Sequence, residues 1–374
     1  MSAQQYALVY IGTVTISGSR GIYASRLNLE NGSLTPPTLA ATTEDPNFLT
    51  TDPSKHFLYC TGQTTKTELP SHTVAGFAID HSQGTLTPIN SQVVDAMSCC
   101  HISTGLDGSV LFAADYGNGK AAAFPLNANG SIAPPVTLIV YDKATQIDPD
   151  RQDEPHVHSI NPDISGQYAF VCDFSADAFH VYSIDGKTKG LTLVGSTPAA
   201  PGSGPRHLTC HPNGKWIYAI HELNGTISVL NFDAKTGQLI TKQTVSMLPE
   251  GFSGKNTTAE IALSPDLRFL YGSNRGHDSL AFYQVHPETG LLTLQGFVAT
   301  QGQHPRNFTI DPTGRFMLVS NMDSNNVVVF RLNSETGKPE YMGEEIQLAM
   351  PMRAEIILPG AEHHAARLRG EMLP

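Results

Sequence analysis

The chain carries one pattern seven times over. A hydrophobic triplet within a β-like run begins at Ala7, Phe57, Val110, Tyr168, Trp216, Phe269 and Phe316, at intervals of 47 to 58 residues. The clearest copies start at His211 (HPNGKWIYAIHELNGTISVLNF), Ser264 (SPDLRFLYGSNRGHDSLAFYQV) and Asp311 (DPTGRFMLVSNMDSNNVVVFRL), and each reaches a Thr-Gly turn before a further apolar run. A period near fifty with several short strands per unit cannot bury both faces of one sheet, so the units must stack on one another. The expected fold is all-β, a seven-bladed β-propeller. Blades of this length account for nearly the whole chain, so one domain spanning 1–360 is expected, with 361–374 as a tail.

Within the clear copies the strand order can be read. A short run before the turn (RHLTCHP, EIALSP, RNFTIDP) is the innermost strand, and the runs after it make the second, third and edge strands. The first copy opens directly on its second strand, YALVYIGT, and lacks an innermost one. The apolar run from Met352 to Leu358 supplies it, so the N- and C-terminal strands are expected to pair in one blade and remove an exposed edge. Two insertions break the period. Thr64 to Thr73 lengthens a connection in the second blade, and the polar, acidic stretch from Ile139 to Glu154 runs straight into PHVHS as a candidate rim or lid.

Composition narrows the function. Only 15% of residues are charged while glycine and proline together number 58 residues, which suits a turn-rich β protein. A net charge of −11 with no basic run argues against nucleic acid as a partner. The opening MSAQQYALVYIGT has no basic segment followed by a long apolar stretch, so neither a secretory leader nor a membrane span is expected. Five scattered cysteines without CxxC spacing read as reduced core thiols, and a cytoplasmic location is the expectation. Oligomeric state is left open between a monomer and a small homo-oligomer.

In a propeller, the start of each innermost strand and the end of each second strand meet at one mouth of the central channel. The starts bring His101, His156, His158, Arg206, His207, Glu260 and Arg306, and the ends bring Asp115, Tyr116, Asp173, His221, Glu222 and Arg275. Cations beside carboxylates suit a small anionic or polyhydroxylated ligand, with Arg206 and Arg275 as natural anion anchors. A carboxylate or imidazole among them can act as general base. There is no G-x-S-x-G elbow, H-E-x-x-H, P-loop or strand-linked G-x-G-x-x-G, and no histidine spacing of a metal site apart from the weak pair His363 and His364. No metal or other cofactor is expected.

The runs PHVHS, GPRHLTCHPNGKWIYAIHELN, LPEGFSGKNTTAEIALSPDLRFLYGSNRGHDS and QHPRNFTIDPTGRFMLVSN, with YIGTVTISGSRGIYASRLN and CHIS…ADYGNG before them, resemble the seven-bladed lactonase family. That family includes propeller-type 6-phosphogluconolactonases and a fungal carboxy-cis,cis-muconate cyclase. The resemblance implies catalytic roles for His156 or His158, Arg206, Glu222 and Arg275. From their place at the channel mouth, His101, Asp115, Tyr116, Asp173, His221, Glu260 and Arg306 are the expected substrate-binding set. His221 departs from the asparagine common in relatives, and by alternation it should turn away from Glu222. The implied activity is hydrolysis of a sugar-acid lactone, with 6-phospho-D-glucono-1,5-lactone as the leading substrate. The alternatives are lactonisation of a carboxylated muconate and a non-catalytic binding propeller.

Overall fold

Each repeat becomes one four-stranded antiparallel sheet, and the seven sheets follow one another around a central channel. The computed structural model describes residues 5–63, 72–94 and 97–361. Blade 5 is typical, running outward through Pro205–Cys210, Trp216–His221, Thr226–Asp233 and Gln238–Ser246. The first blade closes the ring. Its innermost strand is Pro351–Ile357, paired antiparallel with Tyr6–Thr13 from Leu8↔Ile357 to Thr13↔Pro351. The expected closing strand is thus present, one residue earlier than Met352–Leu358.

Seven apolar layers hold the ring, one between each pair of neighbouring blades. At the closing seam, Phe316, Leu318 and Val327 of blade 7 pack on Ala7, Val9, Ile11, Ala354 and Ile356 of blade 1. A middle strand therefore has apolar neighbours on both faces. Trp216–His221 is buried from its second residue onward, whereas the edge strand Gln238–Ser246 is mostly exposed. This is why the triplets read as continuous hydrophobic runs while the edge runs are mixed.

The repeated aromatic and the repeated Thr-Gly turn are partners across blades. Tyr218 donates its hydroxyl to the carbonyl of Gly290 at 3.0 Å, and Tyr271 to that of Gly337 at 2.8 Å, each reaching the next blade. Gly290 has φ +72°, and a Cβ there would come within 2.4 Å of the Trp216 ring. Only glycine meets both demands. The sequence period is therefore the spacing of an inter-blade latch.

At the channel mouth the innermost strands are irregular. Pairing shifts register between Val157 and Ser159, Pro205 and His207, Thr258 and Ile261, and Pro305 and Asn307. Such β-bulges place an extra residue on one strand and re-aim its side chain. The residues in the bulges are His158, Arg206, Ala259 with Glu260, and Arg306. The insertion before PHVHS begins at Tyr141, not Ile139, because Thr137–Val140 is the edge strand of blade 3. Most of Thr64 to Thr73, and His363 and His364, lie outside the described residues.

Candidate active site

The bulges explain how adjacent side chains can face the same channel. In a regular strand, Arg206 and His207 would point to opposite faces. Here the Arg206 Nη1 lies 3.2 Å from His207 Nε2, and His207 Nδ1 lies 3.2 Å from Glu260 Oε1. Arginine can only donate, so His207 Nε2 accepts and Nδ1–H donates to the carboxylate. Burial and the neighbouring Arg206 charge push the His207 pKa down to about 4, despite the opposing pull of Glu260. His207 is therefore a neutral spacer between two clusters.

Glu222 organises the outer cluster. Its Oε2 receives Arg206 Nε at 2.8 Å and Arg275 Nη2 at 2.9 Å, while its Oε1 receives Arg151 Nη2 at 2.6 Å. Burial alone would raise this carboxyl, but Arg275, Arg206 and Arg151 together hold it well below the usual carboxylate range. Two of the arginines are also tied to the backbone, Arg206 to the Ala259 carbonyl at 2.6 Å and Arg275 to the Thr258 carbonyl at 2.8 Å.

Arg306 is the uncommitted cation. It makes no hydrogen bond or ion pair among the described residues, and it lines a narrow cleft with Cys100, Arg206, His207, Asn307 and Met352. Burial, with Arg206 and Arg275 close by, pushes its pKa down to about 9. Arg151, Arg206, Arg275 and Arg306 surround a single carboxylate, so the cluster carries an excess of three positive charges. His158 stands beside it, with Nε2 3.8 Å from Glu222 Oε2 and Nδ1 3.9 Å from Cys100 Sγ. Burial and the Arg206, His207 and Arg306 neighbours keep His158 neutral, well below its ordinary pKa. At the rim, His156 stacks on Tyr116 with ring centroids 4.2 Å apart, and its Nδ1–H donates to the Tyr116 carbonyl at 2.5 Å.

A second cluster lies further along the channel. Glu260 accepts from His207 and Asn307 and sits 3.5 Å from Arg353, whose guanidinium covers the Phe48 ring at 4.2 Å. His101 packs between Phe48 and His207, with centroids at 4.4 and 5.2 Å. These residues cap a cavity of about 310 Å³ that is walled by the far ends of the innermost strands, including Ser103, Asn161, Thr209 and Ile310. Phe48 and His207 line both this cavity and the Arg306 cleft, and so divide the channel. Among the described residues, no group of three or more His, Cys, Asp or Glu is arranged to hold a metal ion.

The sequence profile of the family described as "Lactonase, 7-bladed beta-propeller" matches residues 8–356. The chain belongs to that family. It is 33% identical over 344 residues to the 6-phosphogluconolactonase of Bacillus subtilis, covering 92% of this chain and 96% of the relative. The 6-phosphogluconolactonase of Formosa agariphila is 32% identical, with 87% and 92% covered. The periplasmic gluconolactonase of Pseudomonas aeruginosa superposes with a TM-score of 0.88 at 31% identity, with 95% of this chain and 99% of that one aligned.

Within this lactonase-family fold, His156, His158, Arg206, Glu222, Arg275, Tyr116 and Arg306 come together at one mouth. Glu260 and His101 lie in the deeper cluster. Three expected site residues face elsewhere. Asp115 caps the turn after its strand by accepting from the Asn118 side chain at 3.1 Å. Asp173 accepts from Ala176 N–H at 3.0 Å and contacts His180 at 3.1 Å. His221 turns between blades onto Ser228 Oγ at 2.8 Å, as its alternation with Glu222 required. Arg151 was not among the expected site residues. The only signal for it in the sequence is its place in the insertion before PHVHS.

Proposed function

We propose that the protein hydrolyses a sugar-acid lactone, with 6-phospho-D-glucono-1,5-lactone as the substrate the site fits best. The observation that carries this reading is the excess of three positive charges around Glu222, with Arg306 unpaired among the described residues. Such a cluster calls for an anion. Membership of the lactonase family and the names of its relatives support ester hydrolysis as the reaction class.

In this mechanism the lactone carbonyl lies between Arg306 and His158. Water adds to the carbonyl carbon and gives its proton to neutral His158. The carbonyl oxygen becomes an oxyanion beside Arg306 and Arg206, where guanidinium charge is already in place. The bond from the acyl carbon to the ring oxygen then breaks, and that oxygen takes the proton from His158, giving the open hydroxy acid, whose carboxyl proton is then lost to solvent to leave the carboxylate. Glu222 has both oxygens occupied in this structure, so its part is to fix Arg206 and Arg275. Negative charge arriving on the substrate offsets the arginines that depress His158, and so raises its basicity when it is needed.

The test is acid release from a panel of lactones in a pH-stat by chelator-treated protein, with an ultraviolet assay on carboxy-cis,cis-muconate alongside. Acid release from the sugar lactones supports the proposal. Loss of muconate absorbance with no acid release replaces hydrolysis with lactonisation, and silence in both assays returns the chain to a binding propeller.

A further inference from the structure

The three arginines on Glu222 are not equivalent. Arg206 and Arg275 stand on blade strands, are almost fully buried at 2% and 7% side-chain exposure, and each holds a backbone carbonyl as well. Arg151 comes from the long connection between blades 3 and 4 and is 37% exposed. Its other contacts are the Tyr116 hydroxyl at 3.2 Å and the Phe174 ring at 5.3 Å. Among the described residues it alone occupies Glu222 Oε1, whereas the other two share Oε2.

The loop carrying Arg151 is anchored beside it. Gln152 is fully buried, its side chain donates to the Phe174 carbonyl at 3.0 Å, and Thr145 N–H donates to the Ser175 carbonyl at 2.8 Å. The backbone at Arg151 is therefore a fixed pivot, and the long side chain can swing from it without moving the loop. Removing Arg151 from Glu222 leaves the carboxylate still held through Oε2, with Oε1 released toward the mouth.

Taking the lactonase reading of this site as its basis, we propose that Arg151 is the specificity residue for a distal anionic group on the substrate. A phosphomonoester dianion entering at the rim takes over the Arg151 guanidinium, and Glu222 Oε1 becomes free to accept from a substrate hydroxyl. Two ends of the ligand are thus read separately. Arg306, inside the channel, faces the reacting carbonyl, and Arg151, at the rim, faces the phosphate. A lactone without the phosphate leaves Arg151 on Glu222 and gains neither contact.

The test compares kcat/KM for 6-phosphoglucono-1,5-lactone and for glucono-1,5-lactone in the wild type, Arg151→Met and Arg151→Lys. A charge-assisted pair with a phosphate amounts to a factor of about ten to a hundred. The preference for the phosphorylated lactone should fall by that factor in Arg151→Met and be partly restored in Arg151→Lys. An unchanged preference overturns the proposal, whether both rates fall together or neither moves. Calorimetric titration of 6-phosphogluconate and gluconate separates this claim from the lactonase reading. If the wild type turns over neither lactone, the hydrolysis reading fails. The Arg151 assignment then stands only if the wild type binds 6-phosphogluconate more tightly than gluconate and Arg151→Met abolishes that difference.

Discussion

Replacing Arg306 with methionine should strengthen the fold and weaken catalysis at once. In the folded protein the guanidinium sits near Arg206 and Arg275 without an ion-pair partner among the described residues, and burial with those two charges pushes its pKa down to about 9. The group stays protonated at pH 7, so the whole unfavourable interaction is present there. Taken at 1.36 kcal/mol per unit it would approach about 5 kcal/mol, but the side chain is partly open to the channel and solvent screens it. About 2 kcal/mol is a reasonable share for the variant to recover. Methionine keeps the stem, so packing changes little. Removing a preorganised oxyanion donor costs about a hundredfold to a thousandfold in kcat. The assay pairs urea unfolding with kcat on phosphorylated and neutral lactones. Arg306→Met should show a higher unfolding midpoint with unchanged slope, and similar kcat losses on both substrates. A destabilised variant with normal turnover would refute both the unpaired state of Arg306 and its place at the carbonyl.

Glu222→Gln leaves three guanidiniums without their carboxylate and should cost about 3–5 kcal/mol in urea unfolding, with inorganic phosphate restoring part of it. His221 has a folded pKa of about 4, lowered by burial from 6.5, so its stability contribution is complete above pH 6.5 and is lost as pH falls toward 4. Between pH 7.5 and pH 5 that loss is about 2 kcal/mol, and His221→Asn should remove it, which urea titrations at the two pH values would read directly. Gly290→Ala puts a Cβ onto the Trp216 ring at positive φ and should destabilise by about 2 kcal/mol or more, measured in the same way.

Local patterning explains what could be read from the chain. Turn residues, two-sided burial of the middle strands and the missing first innermost strand all leave marks in sequence, so blade number and ring closure follow from it. The bulges at His158, Arg206 and Arg306 are not legible in this way: Pro205 and Pro305 stand at two of the shifts, but a proline suits the start of any strand, and only the pairing partner reveals the extra residue. That is why Arg206 and His207 can serve neighbouring clusters, a geometry that strict alternation forbids. Asp115 and Asp173 show the opposite case, where a strand-end position alone does not say whether a side chain enters the channel. An aspartate ending a strand before a tight turn caps that turn by default, as Asp115 does with Asn118. The polar insertion was legible as a rim, but Arg151 reaches Glu222 across 71 residues, and that contact exists only once the blades are assembled.

The most direct test of the account is the initial rate of acid release from 6-phospho-D-glucono-1,5-lactone above its spontaneous opening, for the wild type beside Arg206→Met. The wild type should accelerate opening clearly, and the variant should lose at least about a hundredfold of that rate with its fold retained. Equal rates for wild type, variant and buffer would contradict it.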